Sequence, residues 1–462
     1  MATKAIKQGE IFGHPKGLYV LFFTEMWERF SYYGMRAILV LYLTAKTLGE
    51  NPGLGWSNKE ALALYGWYTM LVYVASIPGG WIADKILGQK KSVLVGGVLL
   101  VFGHSVLAIE QLWAFYTGLG LIIAGVGMLK PNISTMVGGL YQQGDIRRDK
   151  GFTIFYIGIN IGAFLASIIV GYVGEVHGWH YGFGLAGIGM ALGLLQYILG
   201  QKHLASVGNF IGTSSNKVDI EAKNRPLTKI EKDRVIVLII SFLLVIVFWG
   251  AFEQAGGLMN IYAKEKTNRM LLGFEVPASW FQSLNAMFII FLGTSVAAYW
   301  ASRKLKGKVS TSLFKMIIGL MIMGAGFFFM TGAAAQYEAD GSSAMYWLVL
   351  AYLLHTIGEL CISPVALSYI TKLAPVKYSA LMMGIYFAMT GFGNKLAGLL
   401  GESADSLGEL TIFTGIAIFC ITFGLLVMVF RKRLEKLTHG AEDNERIIND
   451  ETEGNLPTIK LS

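Results

Sequence analysis

Long apolar runs recur along the whole chain, and short polar segments separate them. A helix that crosses a bilayer needs about 20 mostly apolar residues, because its backbone must satisfy its hydrogen bonds internally. Only 15% of the residues are charged, against about 25% in soluble domains. The sequence therefore predicts an all-α membrane protein with twelve spans, at 17–46, 60–84, 92–109, 112–140, 151–175, 181–200, 233–262, 277–302, 312–336, 344–372, 379–400 and 410–431.

Positive charge is distributed unevenly between the loops. If the N-terminus is cytoplasmic, the cytoplasmic segments hold 29 Lys and Arg and the outer segments hold 5. This bias predicts a multi-pass protein with both termini in the cytoplasm, in the plasma membrane or the inner membrane of a Gram-negative cell. The net charge of +8 is then a signal of topology. Nucleic-acid binding is not expected, because no basic stripe alternates with exposed aromatic residues.

The longest cytoplasmic segment divides the spans into six and six. We predict a first six-helix bundle at 1–200, a cytoplasmic linker at 201–232, a second bundle at 233–435 and a cytoplasmic tail at 436–462. Transporters built from two repeated halves hold their substrate between the halves, near the middle of the membrane.

The first span contains an unusual density of ionisable residues. Glu25, Arg29, Tyr32 and Arg36 are spaced by four, three and four residues, so they form one stripe along a helix. Glu28 lies beside this stripe. A structural ion-pair cluster is the alternative interpretation, but one pair would suffice for that purpose. Because charges at mid-membrane cost at least about 2.5–3.5 kcal/mol, we favour a functional site.

Other polar residues occur inside later spans. Lys130 precedes Pro131, where a helix loses a backbone hydrogen bond, and a position facing a cavity is favoured over snorkelling to the interface. Asn160 fits a structural contact and a solute contact equally well. Glu253 and Glu359 give the second half an excess of acid. The first half carries an excess of base. Opposite charges on the two sides of a cavity suit a zwitterionic substrate, and we expect ion pairs between the halves when the cavity is empty.

The loop from Gly80 to Lys91 has the pattern G-x-x-x-D-x-x-x-G-x-K/R. This pattern resembles the loop signature of the major facilitator superfamily. Asp84 is expected to cap a neighbouring helix and to act in gating.

Three motifs resemble one family of that superfamily, the proton-coupled oligopeptide transporters. Glu25 to Gly34 matches E-x-x-E-R-F-x-Y-Y-G, the segment from Gly125 resembles G-x-G-x-x-K-P, and the segment from Phe155 resembles F-Y-x-x-I-N-x-G. The resemblance implies the major facilitator fold, with two six-helix bundles around a central cavity. It implies a monomer that takes up di- and tripeptides with protons by alternating access and needs no other cofactor.

The resemblance also implies roles for individual residues. Proton coupling would involve Glu25, Glu28, Arg29 and Glu253. Gating would involve Arg36 paired with Glu253 at the outer side, Lys130 paired with Glu359 at the inner side, and Asp84. Substrate binding would involve Tyr32, Arg36, Tyr73, Lys130, Tyr156, Asn160, Trp249, Asn285, Glu359, Ser363 and Tyr386.

The main alternative is a proton-coupled transporter of another small solute, such as nitrate, another anion or a peptide-like compound. Relatives that carry anions tend to alter the first-span carboxylates, which are intact here. A membrane-embedded enzyme is not expected, because the seven histidines and two cysteines show no catalytic or metal-binding spacing. A receptor would usually bring a folded soluble domain, and the linker and tail are too short for one.

Overall fold

The computed structural model describes residues 9–141, 145, 147–209, 226–375 and 378–442. Its helices form twelve membrane-length segments, of which two are built from consecutive helices. The helices are α1 Lys16–Thr44, α2 Asn58–Val74, α3 Ser76–Ile82, α4 Gln89–Leu107, α5 Leu112–Gly139, α6 Arg148–Tyr172, α7 Trp179–Gly200, α8 Lys229–Phe252, α9 Leu258–Glu265, α10 Ser283–Leu305, α11 Ser312–Asp340, α12 Met345–Leu373, α13 Ser379–Leu407 and α14 Glu409–Lys436.

Six two-residue strands lie in the connecting segments. They pair as β1 with β2, β3 with β6 and β4 with β5. The strands are β1 Glu10–Ile11, β2 His14–Pro15, β3 Thr267–Asn268, β4 Met270–Leu271, β5 Phe274–Glu275 and β6 Ser343–Ala344.

Local sequence explains where several helices begin. Ser57 and Thr228 each form a capping box with the glutamate three residues later, at the starts of α2 and α8. These reciprocal bonds satisfy backbone N–H groups that have no partner within the helix. Gly88 and Gly178, at φ of 78° and 138°, occupy the cap positions of α4 and α7. Glycine adopts such angles without the cost that a side chain would add.

The two sets of six spans meet along two pairs of helices. In the first set α1 packs on α6 and α7, and in the second set α11 packs on α12 and α14. Between the sets, α2 packs on α13 and α6 packs on α10. The α2–α13 contact is very close, because a Cβ at Gly398 would lie 2.7 Å from the Cα of Gly66.

The predicted all-α membrane fold is confirmed. Ten of the described helical segments are long and apolar enough to cross a membrane, and α1 spans 29 residues although it carries the ionisable stripe. The predicted division at 200, 232 and 435 stays a prediction, because 210–225 and 443–462 lie outside the described residues.

The capping role expected of Asp84 is wrong. Asp84 lies in the π-helical turn Ala83–Leu87, and α4 begins after Gly88 without a side-chain cap. Asp84 is exposed, and the cap position of α4 is held by Gly88, which has no side chain to accept a hydrogen bond. Its expected part in gating stays a prediction.

The glycine contact between α2 and α13 leads to a stability prediction. Gly398→Ala should lower the apparent midpoint of thermal unfolding in detergent, because overpacking against the Gly66 backbone costs about 1–3 kcal/mol. Gly384→Ala is the matched control in the same helix, where an added Cβ meets no atom within 4 Å. Alanine should stabilise that position by up to about 1 kcal/mol. A Gly398→Ala variant that unfolds at or above the wild-type midpoint would contradict the close packing.

Candidate functional site

A cavity of about 230 Å³ lies between the two sets of spans. Polar and aromatic side chains from both sets line it, which is typical of a small-molecule site. Ten of the residues singled out in the sequence lie on its wall, namely Glu25, Arg29, Arg36, Lys130, Tyr156, Asn160, Trp249, Asn285, Glu359 and Ser363.

The remaining candidates do not line the cavity. Tyr32 is buried at 3% exposure, and its neighbour Tyr33 lies on the cavity wall instead. The substrate-binding role implied for Tyr32 stays a prediction, and in this conformation α1 presents Tyr33 to the cavity. Glu28, Glu253 and Tyr386 are buried behind the wall, and Tyr73 is half-buried behind Lys130.

The α1 carboxylates share a single guanidinium. Both oxygens of Glu28 pair with Arg29, one of them with the Nη2 atom at 2.7 Å. Glu25 Oε1 lies 3.2 Å from Arg29 Nε. The other oxygen, Glu25 Oε2, is buried and accepts no hydrogen bond from any described residue. A buried oxygen without a donor is costly as a charge, so this atom can gain by binding a proton.

A buried ion pair closes the cavity at the end where α1 ends and α2 begins, which we call the closed end. Arg36 Nη2 lies 3.0 Å from Glu253 Oε2. Tyr65 bridges the pair, since its hydroxyl accepts from Arg36 Nε at 2.8 Å and donates to Glu253 Oε2 at 2.5 Å. Gly256 makes room, because a Cβ there would lie 2.1 Å from the Tyr65 hydroxyl. The two charges belong to different sets of spans, so their pairing joins the sets.

Lys130 presents an uncompensated positive charge to the cavity. Its Nζ lies 3.9 Å from the centre of the Tyr73 ring, a favourable cation–π distance. Within the described residues it forms no ion pair. Pro131 follows it inside α5 and withholds one backbone hydrogen bond, which loosens the helix at the wall.

Glu359 presents the complementary negative charge from α12. The Asn285 amide donates to Glu359 Oε2 at 2.8 Å and to Thr356 Oγ1 at 3.1 Å. No cation of the described chain pairs with Glu359, so its predicted pairing with Lys130 is absent from this conformation. Both groups nevertheless line the same cavity.

Two neutral donors on the wall are also available. Trp249 Nε1 and Ser363 Oγ are buried polar atoms without a hydrogen-bond partner among the described side chains and backbone. Both residues line the cavity. Ser363 precedes Pro364 inside α12, as Lys130 precedes Pro131 inside α5. Buried donors of this kind are normally satisfied, so they are suited to a ligand with acceptor oxygens.

A second contact at the closed end is absent from the sequence-based expectations. Glu175 follows α6, and its carboxylate accepts from Ser279 N at 2.8 Å, Ser279 Oγ at 2.6 Å and Ala278 N at 3.2 Å. Lys264 Nζ lies 3.2 Å from the same carboxylate. The Glu175 side chain is only 3% exposed, so these bonds are shielded from water. Glu175 thus joins the first set of spans to the helix start before α10.

Sequence reasoning missed Glu175 and Tyr65 for different reasons. Tyr65 and Tyr68 are one helical turn apart in the second span, so a polar face was visible there. Glu175 lies at the end of a span and is indistinguishable in sequence from an ordinary loop carboxylate.

Comparison with known proteins supplies relatives over nearly the whole length. A model of the POT family matches residues 90–227 and 211–407. The peptide transporter YePEPT of Yersinia enterocolitica is 36% identical, over 93% of this chain and 97% of its own. A di-/tripeptide transporter of Lactococcus lactis subsp. cremoris is 35% identical, over 92% and 97% of the two chains.

Solved structures agree with these relatives. A crystal structure of the peptide transporter POT in complex with sulfate superposes with a TM-score of 0.86 at 35% identity, covering 93% of this chain and 97% of that one. A POT family transporter in complex with 5-aminolevulinic acid superposes with a TM-score of 0.85 at 32% identity, covering 92% and 98%.

The Glu175 contact predicts the behaviour of the closed end. Glu175→Gln should let the two sets of spans separate there more often, because hydrogen bonds to a charged acceptor contribute about 1.5–3 kcal/mol. We expect the separated population to rise roughly tenfold. Spin labels at two exposed positions of this end, Glu50→Cys and Leu272→Cys, would report the separation as a longer distance in pulsed electron resonance.

Two features make the measurement specific. The native cysteines, Cys361 and Cys420, are buried and should label poorly. Glu110→Gln is the control, since Glu110 is exposed in a loop at the same end. Equal distance distributions for Glu175→Gln and wild type would contradict a closing role for Glu175.

Proposed function

The chain belongs to the POT family of transporters, and we propose that it takes up di- and tripeptides together with protons by alternating access. One observation carries the proposal. The cavity wall holds an uncompensated Lys130 from one set of spans and an uncompensated Glu359 from the other. Because both charges are costly without a partner, a zwitterion that supplies one countercharge to each is the occupant that fits best.

The peptide termini would satisfy the two charges. The C-terminal carboxylate would approach Lys130, with the guanidinium of Arg36 also on the wall. The amino terminus would lie against Glu359 and the Asn285 amide oxygen, whose amide nitrogen already donates to Glu359. Trp249 Nε1 and Ser363 Oγ would donate to peptide carbonyl oxygens, because neither has a partner in the described structure. The peptide would be carried without chemical change and without a further cofactor.

Proton coupling would act through the paired carboxylates. A proton on Glu253 removes the charge that holds Arg36, and the closed end can then open. Glu25 lines the cavity, and its buried Oε2 has no hydrogen-bond partner among the described residues, so this oxygen would be a second proton acceptor. Its protonation would release Arg29 from one of two competing carboxylates. In this way the occupancy of the cavity by protons and peptide would determine which ion pairs persist.

The orientation in the membrane follows from the positive charge of the loops. With cytoplasmic termini, the closed end lies on the outer side of the plasma membrane. The hydrogen bonds that cross between the sets cluster at this end, including Asn260 to Ala37 O at 2.8 Å and Trp280 to Ile168 O at 3.0 Å. The described conformation would then be one that is closed to the outside. A monomer would suffice for this mechanism.

A second candidate is transport of peptide-like zwitterions. The POT family structure with 5-aminolevulinic acid supports it, since that compound is held by a transporter of the same fold. Nitrate or another simple anion fits less well, because Glu359 would have no countercharge. The two candidates are compatible, because a compound with one amine and one carboxylate could bind in the same cavity as a peptide.

Proteoliposomes test the symport proposal. An inward proton gradient should drive uptake of dialanine above a gradient-free control. Glu253→Gln should reduce this uptake roughly 100-fold or more, because breaking a buried ion pair costs about 3–5 kcal/mol. Peptide exchange at equal pH should survive, since it needs no net proton movement.

Glu402→Gln is the matched control for this variant. Glu402 pairs with Lys395 at 3.2 Å, and neither residue lines the cavity. Its gradient-driven uptake should resemble that of wild type. If wild-type dialanine uptake is the same with and without the proton gradient, symport is refuted regardless of the results for the variants.

Lys130 predicts how the peptide carboxylate is recognised. In wild type, dialanine should compete for binding at least about tenfold better than dialanine amide, which lacks the carboxylate. Lys130→Ala should weaken dialanine and remove this preference, because the charge that selects the carboxylate is gone. Competition against labelled dialanine in counterflow measures both values.

Lys395→Ala serves as the control, since Lys395 is another lysine inside a membrane helix but is paired with Glu402. It should keep the wild-type preference. If the Lys130→Ala protein still discriminates against the amide, another residue must recognise the peptide carboxylate.

A further inference from the structure

A second concave site lies outside the central cavity, on the membrane face of the second set of spans. This groove has a volume of about 520 Å³ and is formed by α10, α11 and α12. Its wall includes Ser295, Tyr299, Trp300, Phe314, Ile318 and Ile357. Only 17% of the most apolar stretch of the segment that contains α10 is buried within the described molecule, so this face is open to lipid.

The groove spans about one leaflet of the bilayer. At one end Arg303 and Phe314 lie near the close of α10 and the start of α11. At the other end Ile322 lies eight residues after Phe314 in α11. A rise of about 1.5 Å per residue makes this roughly 12 Å, most of one half of a hydrocarbon core of about 30 Å. The apolar part therefore matches the depth that a lipid acyl chain occupies.

Positive charge is concentrated at the mouth of the groove, the end with Arg303. The Arg303 guanidinium lies 5.4 Å from the Phe314 ring, and Lys315 Nζ lies 5.7 Å from the Trp300 ring. Neither cation forms an ion pair within the part of the chain that the structure describes. Arg303 uses only its Nε, in a bond to Val309 O at 2.7 Å. Both side chains are half-buried, so their positions are restricted by packing.

The nearby carboxylates are already engaged. Glu435 accepts from Thr311 Oγ1 at 2.5 Å and pairs with Arg431 at 3.1 Å. Glu442 accepts from the backbone and hydroxyl of Ser312, where it caps α11. Glu442 keeps its negative charge and acts on Lys315 at longer range. Neither Arg303 nor Lys315 has a carboxylate within ion-pair distance among the described residues, so both remain available to an external anion. Trp300 contributes its ring to the groove wall, and its buried Nε1 lies beside the Cys361 thiol.

We propose that this groove binds an anionic phospholipid, with one acyl chain along α10 and α11 and the phosphate between Arg303 and Lys315. An acyl chain accounts for the depth and apolar lining of the groove. An anionic headgroup accounts for two cations at its mouth that have no ion-pair partner among the described residues. Basic pockets between membrane helices at the cytoplasmic surface are suited to such headgroups, and Tyr299 and Trp300 are aromatic residues of the kind that lie at that interface.

Native mass spectrometry of the full-length protein in detergent tests this site. Phosphatidylglycerol and phosphatidylcholine with identical acyl chains would be titrated separately. Wild type should bind one phosphatidylglycerol more tightly than phosphatidylcholine. Because each basic residue near a membrane surface contributes about a fivefold preference for anionic lipid, the double variant Arg303→Gln/Lys315→Gln should lose roughly 30-fold in phosphatidylglycerol affinity.

The matched control removes two exposed cytoplasmic cations elsewhere, in Lys202→Gln/Lys229→Gln. It should bind phosphatidylglycerol as wild type does. A third variant, Ser295→Phe, fills the exposed rim of the groove and keeps both cations. It should also lose phosphatidylglycerol, because the acyl chain is displaced.

Several results would overturn the proposal. One is equal binding of the two lipids by wild type, which would exclude selection of the headgroup. Another is an equal loss in the control variant, which would indicate general surface charge. Unchanged affinity in Ser295→Phe, or competition by millimolar glycerol 3-phosphate as strong as that of the lipid, would indicate a free anion site without an acyl chain.

Discussion

A charged side chain inside a membrane is stable only when another group compensates its charge, and this constraint governs the centre of the molecule. The first set of spans carries an excess of base at the cavity and the second carries acid. Where the sets touch, Arg36 and Glu253 compensate each other and Tyr65 fills the remaining hydrogen bonds. Where they are apart, Lys130 and Glu359 line the cavity wall without an ion-pair partner among the described residues.

The closed end is therefore stabilised at two depths by different chemistry. Deep in the molecule, the carboxylate of Glu253 meets a guanidinium. Nearer the surface, the carboxylate of Glu175 meets backbone N–H groups and a hydroxyl at the start of a helix. Glycine contacts, at Gly256 and between Gly66 and Gly398, let the backbones approach closely enough for these bonds to form. Glu253 and Glu175 thus connect the two sets of spans at this end through separate groups of bonds.

The α1 stripe shows how far sequence reasoning reached. At roughly 100° per residue, Glu25, Arg29 and Arg36 fall within a narrow arc, and all three line the cavity. Tyr32 lies about 20° beyond one edge of that arc and Tyr33 about 40° beyond the other, so spacing alone favoured Tyr32. The periodicity predicted the stripe but not the rotation of α1 about its own axis. That rotation depends on packing against α6 and α7, so the exchange of Tyr32 for Tyr33 was not predictable from α1 alone.

The sequence by itself determined the membrane fold, the number of spans, the family motifs and the inventory of buried charges. These properties depend on run length and on spacing within single helices, where neighbours in sequence are neighbours in space. The tertiary structure decided that Lys130 and Glu359 stay apart, which end is closed and which tyrosine lines the cavity. Those outcomes depend on contacts between distant segments, such as Tyr65 with Glu253, 188 residues apart. No periodicity encodes such a contact, because it arises only when separate helices pack together.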